Sequence, residues 1–408
     1  MYDSIEEKTE DGTIRKVPNV FPSATVLPTF NSMAYFAVVP GQSFHSVQEV
    51  FASDKPRLSI QGWYHAKSAP ENAEDATLRR LKSAGNGEDT ELPFVSIGQN
   101  VTSIETSTKL TEEERTLLKE FINETYLTDA SIEEIRLRFE EDSSVQLRHF
   151  LNNSWAERIQ EAAMAQDENE KLGQKRPPTA YDVGVSTRWN PVGPAHKQRF
   201  LEYCQNDTTI EQNDAGSLLD HVRQNLCVST AFCKYLQCIT SLCAPEAYRG
   251  RVRRFRPGLD YTVAHYGILT QTSVLDATLC FVCGNGKQCL RDEETGDLIG
   301  CDADALWESG EVGGFECYIS ADDEEEESAE AVYNDDDDTE LLSVSASNNT
   351  LSLVYRDPGT MRFVKYIASG APSSRWDIAL EYKIPPDENE AIEEDQDKQE
   401  TCPERSED

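Results

Sequence analysis

The feature that most constrains the fold of this 408-residue chain is a weak internal repeat. Residues 31–64 align without a gap with residues 349–382. The two copies share a Pro-Gly turn, an arginine at the same spacing from that turn, and apolar residues at alternate positions. The identical pairs are Asn31 and Asn349, Pro40 and Pro358, Gly41 and Gly359, Arg57 and Arg375, Ile60 and Ile378, and Tyr64 and Tyr382. Such a repeat predicts two copies of one β-fold joined by the segment between them.

The first copy carries residues that could form a binding site. Arg57 and Ser59 alternate along a predicted strand, so their side chains should lie on one face. A guanidinium helped by a hydroxyl can hold a carboxylate through parallel hydrogen bonds. His45 ends the preceding strand and could bind a metal beside that carboxylate.

The second copy differs at these same positions. Phe363 replaces the histidine, and a phenyl ring cannot bind a metal. Asp377 replaces the serine, and its charge would repel a carboxylate and should pair with Arg375 instead. The contrast predicts that the second copy retains the fold without the site.

Residue patterns divide the chain into a β-rich start, a linker, and a helical segment followed by strands. Residues 1–66 read as loops and short strands at 33–39, 43–51 and 57–64, too few to close a sheet alone. Polar residues 67–106 predict a linker, and residues 107–385 predict a helical segment followed by the second β-domain. Two helices are predicted to begin at the capping boxes of Thr111 and Ser131. A third is predicted from an apolar stripe over 147–163, and further helices are predicted over 195–204, 216–226 and 229–242.

Eight short strand patterns follow from residue 249 onward, a number typical of a sandwich, jelly roll or barrel. The fold class predicted is therefore mainly β with an α segment. An acidic insertion at 321–340 and an acidic tail at 386–408 are expected to be solvated and disordered.

Composition narrows the classes of protein. The net charge of -36 argues against direct DNA binding and against general nucleic-acid binding. No apolar run is long enough to predict a membrane span. Eleven cysteines without a secretory signal fit a reducing compartment, so we expect a cytoplasmic and nuclear protein.

Five runs carry a resemblance to a known family: Phe44–Val50, Pro56–His65, Gly193–His196, Arg254–Tyr261 and Ser374–Asp377. The chain resembles the prolyl hydroxylases among the 2-oxoglutarate- and Fe(II)-dependent dioxygenases. More narrowly, it is similar to the ribosomal-protein prolyl 3-hydroxylases of fungi and animals, which have two double-stranded β-helix domains. The resemblance implies such a jelly-roll fold in both copies, incomplete in the first and degenerate in the second.

The resemblance also implies roles and partners. His45 would be the distal ligand of Fe(II), and Arg57 with Ser59 would bind 2-oxoglutarate, with ascorbate as reductant. The substrate would be a prolyl residue of a small-subunit ribosomal protein. The second domain would bind proteins that regulate translation or transcription.

One departure from the family pattern matters for activity. The family takes its other two iron ligands from an upstream His-x-Asp motif, and no histidine precedes His45 here. We therefore expect an N-terminally incomplete first domain that binds iron poorly and contributes no catalytic residue of its own. The alternative is a non-enzymatic interaction module that couples oxygen or translation status to partner stability through residues 107–385.

Three further groups have a functional and a structural interpretation. His265, His65 and His196 are each expected to be structural or surface residues rather than ligands. A zinc site at Cys280, Cys283, Cys289 and Cys301 is disfavoured, because the first two lie within an apolar strand pattern. The basic cluster of Arg249, Arg251, Arg253, Arg254 and Arg256 could contact RNA, a ribosomal partner or the acidic insertion, but neutralisation by the protein's own carboxylates is favoured.

Overall fold

The computed structural model describes the parts of the chain that carry most of the predicted strands. The described residues are 1–8, 14–52, 55–65, 67–68, 92–97, 109–204, 211, 214–265, 269, 272–283, 288–291, 298–301, 303–320 and 340–385. Most of the predicted linker, the acidic tail and nearly all of the acidic insertion therefore lie outside the described residues. Within the part that is described, no helix has both the length and the apolar character needed to cross a bilayer.

The described elements are mainly strands with a few helices between them. The strands are β1 Ser4–Lys8, β2 Ile14–Pro18, β3 Val95–Ser96, β4 Ser144–Arg148, β5 Trp189–Val192, β6 Gln198–Tyr203, β7 Ala247–Phe255, β8 Tyr261–Thr262, β9 Val274–Val282, β10 Gln288–Arg291, β11 Leu298–Cys301, β12 Glu316–Ser320, β13 Glu340–Val344, β14 Thr350–Arg356, β15 Thr360–Val364 and β16 Arg375–Lys383. The α-helices are α1 Glu112–Lys119, α2 Asp129–Asp142, α3 Asn153–Asn169, α4 Ala215–Val222, α5 Thr230–Thr240 and α6 Ala303–Glu308, with a 3₁₀ turn at Glu124–Leu127 and a π turn at Arg223–Cys227.

The second domain is a jelly roll built from two antiparallel sheets. The large sheet runs in the order β4-β14-β9-β16-β7-β6-β5, and the small sheet runs β13-β12-β15. Along the chain, strands β7 to β16 cross repeatedly between the two sheets, and β8 lies beside β15, where Val364 N donates to Thr262 Oγ1 over 2.6 Å. This order is that of a double-stranded β-helix, so the fold class predicted for the second copy is confirmed.

The two faces of the large sheet bury different kinds of side chain. On β16, Trp376, Ile378, Leu380 and Tyr382 pack against the helices, forming the main apolar core. The alternate residues of β16 face the small sheet instead, and several of them are charged. This period of two follows directly from the sequence of the strand.

Two predicted helix starts have different outcomes. The capping box at Thr111 is confirmed, because Thr111 Oγ1 accepts from Glu114 N and the Glu114 carboxylate accepts from Thr111 N. The start predicted at Ser131 is wrong. Thr128 caps α2 by accepting from Ser131 N, so Ser131 lies in the first turn.

Three segments predicted as helix or linker contain strands. Residues 195–204 contain β6, and the start of the predicted stripe over 147–163 belongs to β4. Val95–Ser96, inside the predicted linker, pairs with β7, and Ile97 next to it is buried. β3 and β4 pair with strands distant in sequence, and β6 pairs with distant β7 as well as with nearby β5, so apolar spacing alone could not distinguish strand from helix.

The first copy of the repeat keeps its turns but not its strands. Asn31 and Asn349 both have positive φ, at 53° and 45°, and Gly41 and Gly359 do also, at 70° and 84°. The strands predicted at 33–39, 43–51 and 57–64 are nevertheless wrong. Among the described residues, β1 and β2 pair only with each other and these three runs have no ladder partner, so the backbone is extended without forming a sheet.

Apolar side chains in this first copy consequently remain in solvent. The exposed fraction is 82% for Met33, 86% for Tyr35 and 104% for Ile60. The equivalent residues Leu351, Leu353 and Ile378 are buried in the second copy. Apolar residues at equivalent repeat positions therefore lie in opposite environments, because among the described residues only the second copy forms sheets that pack on each other.

Candidate functional site

His45 is exposed, with one ring nitrogen engaged. Its Nδ1 lies 2.9 Å from the carbonyl oxygen of Ser43, and the ring of Phe36 packs against it at 4.8 Å between centroids. A donated Nδ1–H of this kind leaves Nε2 as the nitrogen able to bind a metal. The local geometry of His45 is therefore compatible with one metal ligand.

Arg57 and Ser59 lie on the next extended run, and both are exposed. Among the hydrogen bonds of the described residues, none joins either residue to His45. The structure therefore places all three predicted site residues on exposed, extended runs of the first copy. Their roles as a metal ligand and a carboxylate site stay predictions.

The described residues do not supply a complete iron site. A non-haem Fe(II) site of the type that the resemblance implies needs two histidines and one carboxylate. Across the described ranges, no group of three or more histidine, cysteine, aspartate or glutamate side chains could hold a metal ion. His45 thus fits one ligand position, and the remaining positions are not filled by any described residue.

The equivalent arginine of the second copy is closed off by carboxylates. Arg375 Nη2 lies 2.8 Å from Glu316 Oε1 and 3.0 Å from Asp377 Oδ2, and Nη1 donates to the carbonyl oxygen of Gly314. All of these side chains are buried. The predicted pairing of Asp377 with Arg375 is confirmed, and a carboxylate ligand at Arg375 is excluded by the two carboxylates already there.

The basic cluster is neutralised as predicted, although not at a sheet edge. Each arginine pairs with carboxylates of the same chain: Arg249 with Glu381, Arg251 with Glu202, Arg253 with Asp377 and Glu316, Arg254 with Asp167 and Glu170, and Arg256 with Asp260. β7 pairs with both β16 and β6, so the cluster lies within the sheet.

Two arginines outside the predicted basic cluster accompany it. Arg356 and Arg362 line the same cavity as Arg249, Arg251 and Arg253, between the two sheets of the second domain. The alternation of arginines along β7 was the available signal, because it places three of them on one face. The positions of Arg356 and Arg362 depend on strand order and could not be read locally.

Cys280 and Cys283 cannot share a metal ion. Cys280 packs in the apolar cluster between the two sheets, whereas Cys283 packs in the helix-side core, so the two thiols lie on opposite faces of the large sheet. Burial raises the pKa of the Cys280 thiol to about 11 and also raises the pKa of Cys283. The side chains of Cys289 and Cys301 lie outside the described residues.

The histidines with structural interpretations have different environments. His65 is exposed, His196 is half-buried and His265 is 4% exposed beside the arginine-lined cavity. None of them belongs to a three-ligand group among the described side chains.

Two family models match this chain in succession. Residues 11–65 match the 2OG-Fe(II) oxygenase superfamily, and residues 113–391 match the C-terminal model described as oxoglutarate and iron-dependent oxygenase degradation C-term. The second match covers more than half of the chain. The chain belongs to the OGFOD1-type prolyl hydroxylases of the 2OG-Fe(II) oxygenase family.

Curated relatives of the OGFOD1 type align along most of this chain. It is 34% identical over 374 residues to prolyl 3,4-dihydroxylase OGFOD1 of Ostreococcus tauri, covering 90% of this chain and 67% of the relative. It is 27% identical to prolyl 3-hydroxylase OGFOD1 of Xenopus laevis, covering 84% and 56%, and 25% identical to prolyl 3-hydroxylase sudestada1 of Drosophila melanogaster, covering 85% and 53%. The chain therefore spans between about half and two thirds of the length of these relatives.

Solved prolyl hydroxylases show a more distant likeness. A Trichoplax adhaerens prolyl hydroxylase in complex with a hypoxia inducible factor peptide fragment aligns with a TM-score of 0.34 at 8% identity, covering 67% of this chain and 94% of that one. A Pseudomonas putida prolyl-4-hydroxylase aligns with a TM-score of 0.33 at 12% identity, covering 62% and 98%.

Proposed function

We propose that this chain acts in an Fe(II)- and 2-oxoglutarate-dependent prolyl hydroxylase. In this proposal His45 is the distal iron ligand, and Arg57 with Ser59 binds the far carboxylate of 2-oxoglutarate. The observation that carries the proposal is the oxygenase family match over residues 11–65, which contains all three residues. The exposed ring of His45 and the exposed guanidinium of Arg57 leave both groups accessible to ligands.

The proposal extends to substrate and location. The names of the curated relatives support a prolyl residue as the target, and we propose that this residue belongs to a small-subunit ribosomal protein. Ascorbate would serve as the reductant, and the protein would act in the cytoplasm and the nucleus. The second domain would bind translation- or transcription-regulatory proteins and take no part in the chemistry.

A second candidate function is a non-enzymatic interaction module. The observation that favours it is that His45 is the one residue of the predicted ligand set present among the described residues, while the second domain is a complete jelly roll. Turnover would require two further iron ligands. Partner binding through residues 107–385 would not.

Binding of 2-oxoglutarate with Mn²⁺ in place of Fe(II), measured by titration calorimetry, tests the assignment. Arg57→Ala should weaken 2-oxoglutarate binding by roughly 10- to 100-fold, since hydrogen bonds to charged groups contribute about 1.5–3 kcal/mol. Lys55→Ala is the matched control, because it removes an exposed cation two positions away. Unchanged affinity in Arg57→Ala would contradict the role given to this residue.

Mass spectrometry of a proline-containing ribosomal peptide, incubated with the chain, Fe(II) and 2-oxoglutarate, separates the two functions. Hydroxylation that disappears in His45→Ala supports the enzyme. An unmodified peptide, together with saturable capture of a translation factor by the chain, supports the interaction module.

A further inference from the structure

A cavity of about 110 Å³ lies between the two sheets of the second domain. Its charged lining comprises five arginines and one glutamate: Arg249, Arg251, Arg253, Arg356, Arg362 and Glu381. We refer to the five arginines as the cavity arginines. A cavity needs on the order of 10–15 Å³ to hold one water, so this volume has room for an occupant larger than one water molecule.

Strand geometry explains why these arginines converge. Arg249, Arg251 and Arg253 occupy alternate positions of β7 and therefore share one face. Arg356 ends β14 in the large sheet, and Arg362 lies on β15 in the small sheet, across the interior. The cavity is thus approached by guanidinium groups from both sheets.

Most of the carboxylates that pair with the cavity arginines do not line the cavity. Arg362 lies 3.3 Å from Asp276 and 3.1 Å from Glu316, and Arg253 lies 2.8 Å from Asp377. None of these three carboxylates is part of the lining. They hold the guanidinium groups of Arg253 and Arg362 in place, while both arginines remain part of the lining.

Among these carboxylate partners, Glu381 lines the cavity, and it is shared by two of the cavity arginines. Its oxygens lie 2.6 Å from Arg249 and 2.9 Å from Arg356. Burial alone would raise the pKa of the Glu381 carboxyl, but the guanidinium groups of Arg356 and Arg249 hold it below its ordinary value. Glu381 is therefore ionised and contributes one negative charge.

The cavity arginines belong to a network of ion pairs among the described residues. It contains the five cavity arginines and Arg375, which makes six guanidinium groups. Their partners are five carboxylates: Glu202, Asp276, Glu316, Asp377 and Glu381. The cavity is a local concentration of guanidinium groups in a protein whose net charge is -36. Like charges repel one another, and a bound anion would reduce that repulsion.

We propose that the cavity between the sheets of the second domain binds a small oxyanion, of the phosphate or carboxylate class. Arginines present planar, bidentate donors that match both phosphate and carboxylate oxygens. The site is separate from Arg57 and Ser59, which lie on the first copy of the repeat. Its occupant bridges guanidinium groups of the large and small sheets and so stabilises the jelly roll.

Titration calorimetry of the full chain with inorganic phosphate and, separately, with succinate tests the proposal. Treatment with a chelating resin beforehand removes divalent metals, and sodium chloride matched in ionic strength controls for screening. We expect saturable one-site binding of at least one oxyanion, accompanied by a rise in Tm. The two ligands distinguish the sources: phosphate binding alone identifies a phosphate site, and succinate binding identifies a carboxylate site.

Two variants locate the binding. Arg251→Met removes a cavity arginine whose one carboxylate partner, Glu202, lies 3.4 Å away, so the fold should tolerate the change. Ala379→Val narrows the cavity without changing charge, because Ala379 is part of its lining. Both should weaken oxyanion binding at least tenfold.

Two controls should leave oxyanion binding unchanged. Arg188→Met removes an ion-paired arginine outside the cavity, and Arg57→Ala removes the proposed 2-oxoglutarate residue. Absence of saturable binding for both oxyanions would overturn the proposal. So would undiminished binding in both Arg251→Met and Ala379→Val.

Discussion

Arg375 and Asp377 form a buried ion pair along a single strand, with Arg375 Nη2 3.0 Å from Asp377 Oδ2. Asp377 also accepts from Arg253 Nε over 2.8 Å, so one carboxylate joins β16 to β7. The corresponding residues of the first copy, Arg57 and Ser59, are both exposed. The same two repeat positions therefore stabilise the packing of the second domain, whereas in the first copy they are accessible to ligands.

Asp377→Asn should destabilise the second domain strongly. Removing one partner of a buried ion pair costs about 3–5 kcal/mol, because the other charge is left uncompensated. Urea denaturation at neutral pH measures the free energy of unfolding. Glu134→Gln, the same chemical change at an exposed position of α2, should cost less than about 0.5 kcal/mol. A loss below about 1 kcal/mol in Asp377→Asn would show that the pair contributes little.

Glu316 should make stability depend on pH in the acid range. Burial alone would raise the pKa of its carboxyl, but the guanidinium groups of Arg362, Arg375 and Arg253 hold that pKa well below the ordinary value of 4.5. A depressed carboxyl pKa contributes stability that is present above the unfolded pKa and is lost as the pH falls toward the folded pKa.

The free energy of unfolding should therefore fall from about pH 5 downward in the wild-type chain. In Glu316→Gln we expect lower stability at pH 7 and a shallower decrease below pH 5. Urea denaturation of both chains at pH 7, 5, 4 and 3 gives the comparison. Parallel curves for the two chains would contradict the contribution assigned to Glu316.

Glu49 should anchor the first copy to the second domain. Its carboxylate accepts from Ser369 N over 2.8 Å, from Ser369 Oγ over 2.9 Å and from Tyr366 Oη over 3.0 Å. Glu49→Ala should speed hydrogen exchange of the Ser369 amide by about tenfold or more, since hydrogen bonds to a charged group contribute about 1.5–3 kcal/mol.

The Tyr366 hydroxyl gives a second readout of the same anchor. Burial and the neighbouring Glu49 carboxylate both raise its pKa, so Glu49→Ala should lower that pKa toward the ordinary value of 10.0. Gln48→Ala changes the adjacent exposed residue and should leave both measurements unaltered. Identical amide exchange in the two variants would mean that the anchor does not form.

Cys280 and Cys283 should be unreactive in the folded protein and should not bind zinc. Both thiols are buried, and their raised pKa values leave little thiolate near neutral pH. Iodoacetamide at pH 8 followed by peptide mass spectrometry should label half-buried Cys204 before either of them, and should label all three in urea. EDTA should leave Tm unchanged, and a clear decrease would point to a structural metal.

Individual elements show which parts of the fold could be predicted from local sequence patterns. The strand predicted over Trp376–Tyr382 is confirmed as β16, and the alternate residues Trp376, Ile378, Leu380 and Tyr382 pack in the main core. Thr111 with Glu114 predicted the start of α1, because both partners of a capping box lie within one turn. β6 was misread as a helix, since its pairing with β5, β7 and β8 depends on other segments of the chain.

The candidate sites likewise combine features that could be predicted from the local sequence with features that could not. The oxygenase resemblance of His45, Arg57 and Ser59 was readable from short runs, and the family match over residues 11–65 contains them. Their spatial relation was not readable, because the two extended runs that carry them, 43–51 and 57–64, lack ladder partners among the described residues. Only part of the arginine-lined cavity could be predicted from the sequence. The alternating arginines of β7 are apparent there, whereas the approach of Arg356 and Arg362 to them is not.

By itself the sequence determined the repeat, the mainly β character of the chain, the jelly-roll strands of the second copy and the pairing of Arg375 with Asp377. These depend on periodicity and on neighbours within a few residues. Only the tertiary structure decided that Met33 and Tyr35 lie in solvent while Leu351 and Leu353 are buried. It also decided that guanidinium groups from two sheets surround one cavity. The physical reason is that a strand gains its hydrogen bonds and its burial from partners distant in sequence.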